Sequence, residues 1–167
     1  MRRAFSIVCC VGLFSLPALG QAKGAMSDQQ FVDFAAQTDM VEANLGQLAQ
    51  SAGSSQEVKD YGQMLATDHA TDFHQLYTAA QQANAKVPDA IDTQHNKAMI
   101  DPFQKLKGAA FDRRFSQEMV SGHTKAIAVY KNEAANAQNP ALKSYAEQAL
   151  PVLQKHLDQA KTLGKGK

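Results

Sequence analysis

Phe31, Phe34, Thr38, Val41, Leu45 and Leu48 recur three and four residues apart, a spacing that keeps all six on one stripe of an α-helix. A strand turns alternate side chains to opposite faces and cannot use such a pattern. Ser27 with Gln30 supplies a capping box where the stripe begins, and "SAGSS" marks its end. Ser54 with Glu57 opens a second capped segment, on which Val58, Gly62, Leu65, His69, Asp72, Leu76 and Ala79 hold one face to about Asn84. A third runs from about Ala109 to Ala137 along Phe115, Met119, Gly122, Ala126, Val129 and Glu133. Asn139 followed by Pro140 is an N-cap with proline at the first helical position. Leu142, Ala146, Ala149, Leu153, His156, Ala160 and Leu163 complete the fourth stripe.

Between the second and third segments, Pro88 and Pro102 exclude a continuous helix, while "TQHNKAMI" fits a short one capped by Asp92 or Thr93. A connection of about two dozen residues is long enough to travel back along a whole helix. The second and third long helices can therefore run parallel. Four long helices, two tight turns and one long middle connection predict an all-α, ferritin-like four-helix bundle over residues 27–163, with 164–167 as a flexible tail.

Ahead of the bundle, Met1-Arg2-Arg3, the apolar "AFSIVCCVGLFSL" and the small residues of "PALGQAKG" read as a signal peptide over residues 1–22. Cleavage fits after Gly20 or after Ala22. The apolar run is too short to span a bilayer. Export to the periplasm is expected by the general secretory route or, given Arg2-Arg3, by the twin-arginine route. No barrel-like strand pattern supports a place in the outer membrane. Both cysteines, Cys9 and Cys10, lie in this segment, so the mature chain has no disulfide. Removing Arg2 and Arg3 from the 17 basic residues leaves one fewer than the 16 acidic ones. No basic stripe offsets that balance, which argues against nucleic acid as the main partner.

Chemistry enters where histidines replace hydrophobes on the stripes. His69 and His156 occupy seam positions, where a buried imidazole without a partner is costly. Counting from the turn at Gln138 and Asn139, a rise of about 1.5 Å per residue puts His123 and His156 within about 3 Å of the same height. The same count from Gly53 brings Asp39 or Glu42 within about one turn of His69. Glu42 flanks a stripe between Ala35 and Ala49, whose small side chains leave room for its carboxylate to point inward. Asp72, three residues after His69, shares its face and can ligate or orient the imidazole. Asp68 lies about 100° around the helix and is expected to matter less.

Glu42, His69, Asp72, His123 and His156 thus form a candidate metal-ligand layer at mid-bundle. Neutral imidazoles with one or two carboxylates suit zinc, iron or copper. The same residues equally suit a purely structural polar layer. Glu133 is a further candidate on its stripe, and His74 and His95 read as surface residues. The chain lacks the paired Glu-x-x-His motif of di-iron bundles. It also lacks a nucleophile motif and a phosphate-cradling loop, so catalysis is not expected. A non-enzymatic stress or envelope-associated protein with an oligomeric or envelope partner is the alternative to metal binding.

"EANLGQLA" (Glu42 to Ala49), "MLATDH" (Met64 to His69), "GAAFDRRF" (Gly108 to Phe115), His123 and "LPVLQKHL" (Leu150 to Leu157) resemble, in order and spacing, the bacterial secreted domain-of-unknown-function family 4142. Its members are often labelled putative outer-membrane proteins. The resemblance implies an exported ferritin-like bundle without a settled activity, with motif positions at Glu42, Asp68, His69, Asp112, His123 and His156. Phe115 stands where members of that family often have tyrosine, which removes any role for a phenol there.

Overall fold

The computed structural model describes residues 24 and 26–163. The expected signal segment and cleavage point, Cys9, Cys10 and the expected tail at 164–167 lie outside the described residues. Five α-helices follow one another: α1 (Asp28–Ala52), α2 (Gln56–Gln82), α3 (Thr93–His95), α4 (Gly108–Asn136) and α5 (Pro140–Ala160). No strand occurs among the described residues. The short helix of the connection is capped by Asp92 and passes into a π turn, Asn96–Ile100, and a 3₁₀ turn, Asp101–Phe103. Pro151 leaves α5 a single helix.

The capping box of Ser27 and Gln30 is present. The second cap is Ser55, one residue later than the Ser54 expected from the pattern. The reason comes from the other half of the chain. Asp112, in the first turns of α4, accepts from Ser54 N at 2.9 Å, Ser54 Oγ at 2.6 Å and Ser55 N at 3.0 Å. With the Ser54 hydroxyl so engaged, Ser55 Oγ is left to accept from Val58 N and start the helix.

That contact sets α4 beside the α1–α2 turn, while Met26 N donating to Glu133 Oε1 at 2.7 Å sets the far end of α4 beside the start of α1. The residues just after α2 return to the same end, where Lys86 N donates to Gln29 Oε1 at 2.9 Å. Helices α2 and α4 therefore run parallel, and the middle connection crosses the length of the bundle. Gln37 fastens it to α1, donating to Ala90 O and accepting from Asp92 N, both at 3.0 Å. Around the bundle α1 packs on α2 and α4, and α5 packs on α4 and α2.

The α1–α2 crossing is close enough to require glycine. A Cβ at Gly46 would lie 2.5 Å from Gly62 O and 2.9 Å from Ala66 N, both backbone atoms. Two apolar clusters result. One, near the Ser27 end, gathers Phe31, Leu76, Tyr130, Tyr145 and Leu153; the other, near Gly53, gathers Leu45, Leu65, Phe111, Phe115 and Met119. His69, His123 and His156 lie between them.

Candidate metal centre

Each of three helices delivers one histidine to this level: His69 from α2, His123 from α4 and His156 from α5, none more than 2% exposed. Their ring centroids stand 5.2 to 5.9 Å apart. One nitrogen from each ring lies within 4.8 Å of those of the other two.

Hydrogen-bond acceptors on the outer nitrogens set the tautomers. His123 Nδ1 donates to Met119 O and His156 Nε2 to Asp68 Oδ2, both at 2.9 Å. His69 Nδ1 pairs with Asp39 Oδ1 at 2.9 Å, where a proton on Nδ1 leaves the buried, partnerless Nε2 as an acceptor instead of the costlier orphaned N–H. A neutral imidazole carries one proton, so the opposite nitrogens are bare lone pairs. Two of these, His123 Nε2 and His156 Nδ1, face each other at 3.2 Å with no proton left to share. His69 Nε2 is buried without a partner. Leaving such a nitrogen unsatisfied costs about 1–3 kcal/mol.

The rings are held neutral by their surroundings. Burial, reinforced by His69 and His156, pushes His123 down to about 3. Burial takes His156 down to about 4 against the opposing bond to Asp68. His69 is lowered by burial against the pull of Glu42, Asp72 and Asp68. At neutral pH the three inner nitrogens are donors for a cation and not acids.

Glu42 lies beside the layer. Burial raises its carboxyl to about 7, with His69 opposing. Its Oε1 lies 3.8 Å from His123 Nδ1, and its Oε2 is buried without a partner. A Cβ at Gly122 would come within 3.0 Å of Glu42 Oε1, so the glycine of α4 makes room for this carboxylate. Three converging lone pairs with acceptors behind the rings are a donor set for a transition-metal ion, while the contact of Glu42 is with the outer nitrogen of His123.

Asp72 is placed differently from the expectation. It accepts from Tyr145 Oη at 2.6 Å, Tyr145 in turn meets Tyr130 Oη at 3.0 Å, and the carboxylate on His69 is that of Asp39. Burial, with Asp72 nearby, holds Asp39 well above the usual carboxylate range. Asp68, expected to stand aside, orients His156. The seam picture missed it because a helix in a bundle faces two neighbours, and the flank of α2 about 100° from the seam is the one α5 covers. Glu133 lies apart from the layer, bound to Met26 N.

A profile of the family described as "Domain of unknown function (DUF4142)" matches residues 14–163. The chain belongs to this family. No curated protein matches it. Among solved structures, this DUF4142 chain is similar to "CopM in the Cu(II)-bound form", with a TM-score of 0.68 at 18% identity over 83% of this chain and 95% of that one. It is also similar to "CopM in the Ag-bound form", with a TM-score of 0.62 at 18% identity over 81% and 93%. At such identity the likeness is one of fold.

Proposed function

We propose that this protein is an exported, non-enzymatic metal-binding bundle, in which the inner nitrogens of His69, His123 and His156 ligate one transition-metal ion and Glu42 supplies a fourth donor. The observation that carries the reading is the convergence of three unprotonated nitrogens whose opposite ring positions are all engaged. A structural polar layer would spend its protons between the rings. Here they point outward, and a cation is what the lone pairs lack.

Three imidazoles and a carboxylate suit zinc or copper better than iron, and copper binds such donors more tightly than zinc. The bundle fold shared with a protein seen with Cu(II) and with silver supports copper as the first ion to test. Residues 1–22 act as the signal peptide that delivers the chain to the periplasm, and 27–163 form the metal-binding domain. No helix among the described residues is long and apolar enough to cross a membrane.

The test is metal content of untagged protein, followed by thermal unfolding with chelator and with copper(II) or zinc. At a hundred times Kd the ion stabilises the native state by about 2.7 kcal/mol, and His69→Gln removes that gain. No metal-dependent shift in the wild type, with His156→Leu as stable as the wild type, would establish the layer as a structural polar network instead.

A further inference from the structure

A buried triad needs a way in, and among the described residues two openings of very different size lie beside it. Between α2 and α5 a crevice at Asp68, Val152 and His156 encloses only about 10 Å³, room for roughly one water molecule. On the opposite side, between α1, α4 and the π turn, a cavity of about 210 Å³ is lined by Gln37, Glu42, His95, Met99 and Gly122. The lining of the larger one is chemically graded.

His95, half-exposed at the mouth, donates from Nδ1 to Asp92 Oδ2 at 2.8 Å. That pairing leaves Nε2 as the ring nitrogen open to a ligand, an arrangement typical of metal-binding imidazoles. Met99 adds a thioether from the π turn Asn96–Ile100, whose last residue, Ile100, is buried. A π turn is rare and recurs at functional positions. Glu42, only 6% exposed, lies at the inner end with Oε2 free of any partner. Gly122, which inside a helix costs about 1 kcal/mol relative to alanine, leaves its carboxylate room to move.

We propose that this cavity is the loading port of the triad: His95 and Met99 capture the metal ion at the mouth, and Glu42 passes it to His69 and His123. The proposal rests on the metal-binding reading above and adds a route and residues to it. It concerns the rate of loading, because His95 and Met99 are absent from the final ligand set.

Stopped-flow mixing of the metal-free chain with copper(II), read by imidazole-to-copper absorption, tests it. The His95→Gln/Met99→Leu double variant should load about tenfold more slowly while its equilibrium Kd stays within about threefold of wild type. Gly122→Ala, checked for an unchanged fold by circular dichroism, should slow loading likewise. Val152→Phe, which plugs the small crevice, should load at the wild-type rate. A double variant that loads as fast as wild type, or a Val152→Phe that loads slowly, overturns the port while leaving the triad standing. A wild type that binds no copper(II), or a His69→Gln that binds it fully, overturns the triad and the port together.

Discussion

Asp68→Asn tests the arrangement behind the rings most directly. The substitution keeps the shape and an oxygen acceptor but removes the charge that faces His156 Nε2 at 2.9 Å. A carboxylate behind a metal-bound imidazole raises its basicity and fixes its angle, and losing one lowers metal affinity about 10- to 100-fold. That corresponds to about 1.4–2.7 kcal/mol. The Asp68 side chain is 31% exposed and partly hydrated, which places the expected loss at the lower end, near tenfold. Asp72→Asn makes the matched control. It weakens the 2.6 Å bond from Tyr145 and is hydrogen-bonded to no ring nitrogen, so it should lower stability by about 1–2 kcal/mol and cost less affinity than Asp68→Asn. Competitive titration against a copper(II) chelator gives both affinities, and urea unfolding with chelator present gives both stabilities. Affinity lost in Asp72→Asn and retained in Asp68→Asn would refute the assignment of Asp68 to His156.

The metal-free protein should lose stability as pH falls below about 6.5, the unfolded value for histidine, because the folded His123 and His156 stay neutral down to about 3 and about 4. Each imidazole contributes about 1.6 kcal/mol of loss between pH 6.5 and 5. Glu42, raised to about 7, acts in the opposite sense, holding a proton in the folded state that the unfolded chain releases. Urea unfolding of Glu42→Gln should therefore show a steeper fall than wild type over that interval, and an equal or shallower one would contradict the burial argument. Gly46→Ala should destabilise by about 2–3 kcal/mol, since its Cβ would meet backbone atoms of α2 that cannot move aside; a change below about 0.5 kcal/mol in urea unfolding would contradict that contact.

The bundle was legible because its information is periodic. Stripes, caps and a connection too long for a hairpin leave few other ways to bury Phe31, Leu45, Leu65 and Leu153 together. Heights counted from the turns also carried through, as His123 and His156 meet within 3.2 Å. What counting along one helix does not reveal is which neighbour covers each flank. The angle to the seam favours Asp72 over Asp68, but with α5 packed against α2 it is Asp68 that accepts from a ring, His156, while Asp72 accepts from Tyr145. Asp112, near the start of α4, spends its oxygens on Ser54 and Ser55 of the other hairpin, a partnership that counting along its own helix does not show. His95 read as a surface residue because nothing in the linear pattern shows that the connection folds over α1 and α4.

The three rings are divided between two sequence-local units. His69 sits with Asp39 in the α1–α2 hairpin, whereas His123 and His156 belong to the α4–α5 hairpin. Each unit can form early from nearby contacts, but the complete triad exists only after the two have docked. An ion bound across that seam stabilises the final state more than the half-assembled one before it. Such an ion slows unfolding far more than it speeds folding. Metal would then prolong the lifetime of the assembled molecule, and the rate at which the hairpins part would become the rate at which the ion can be lost.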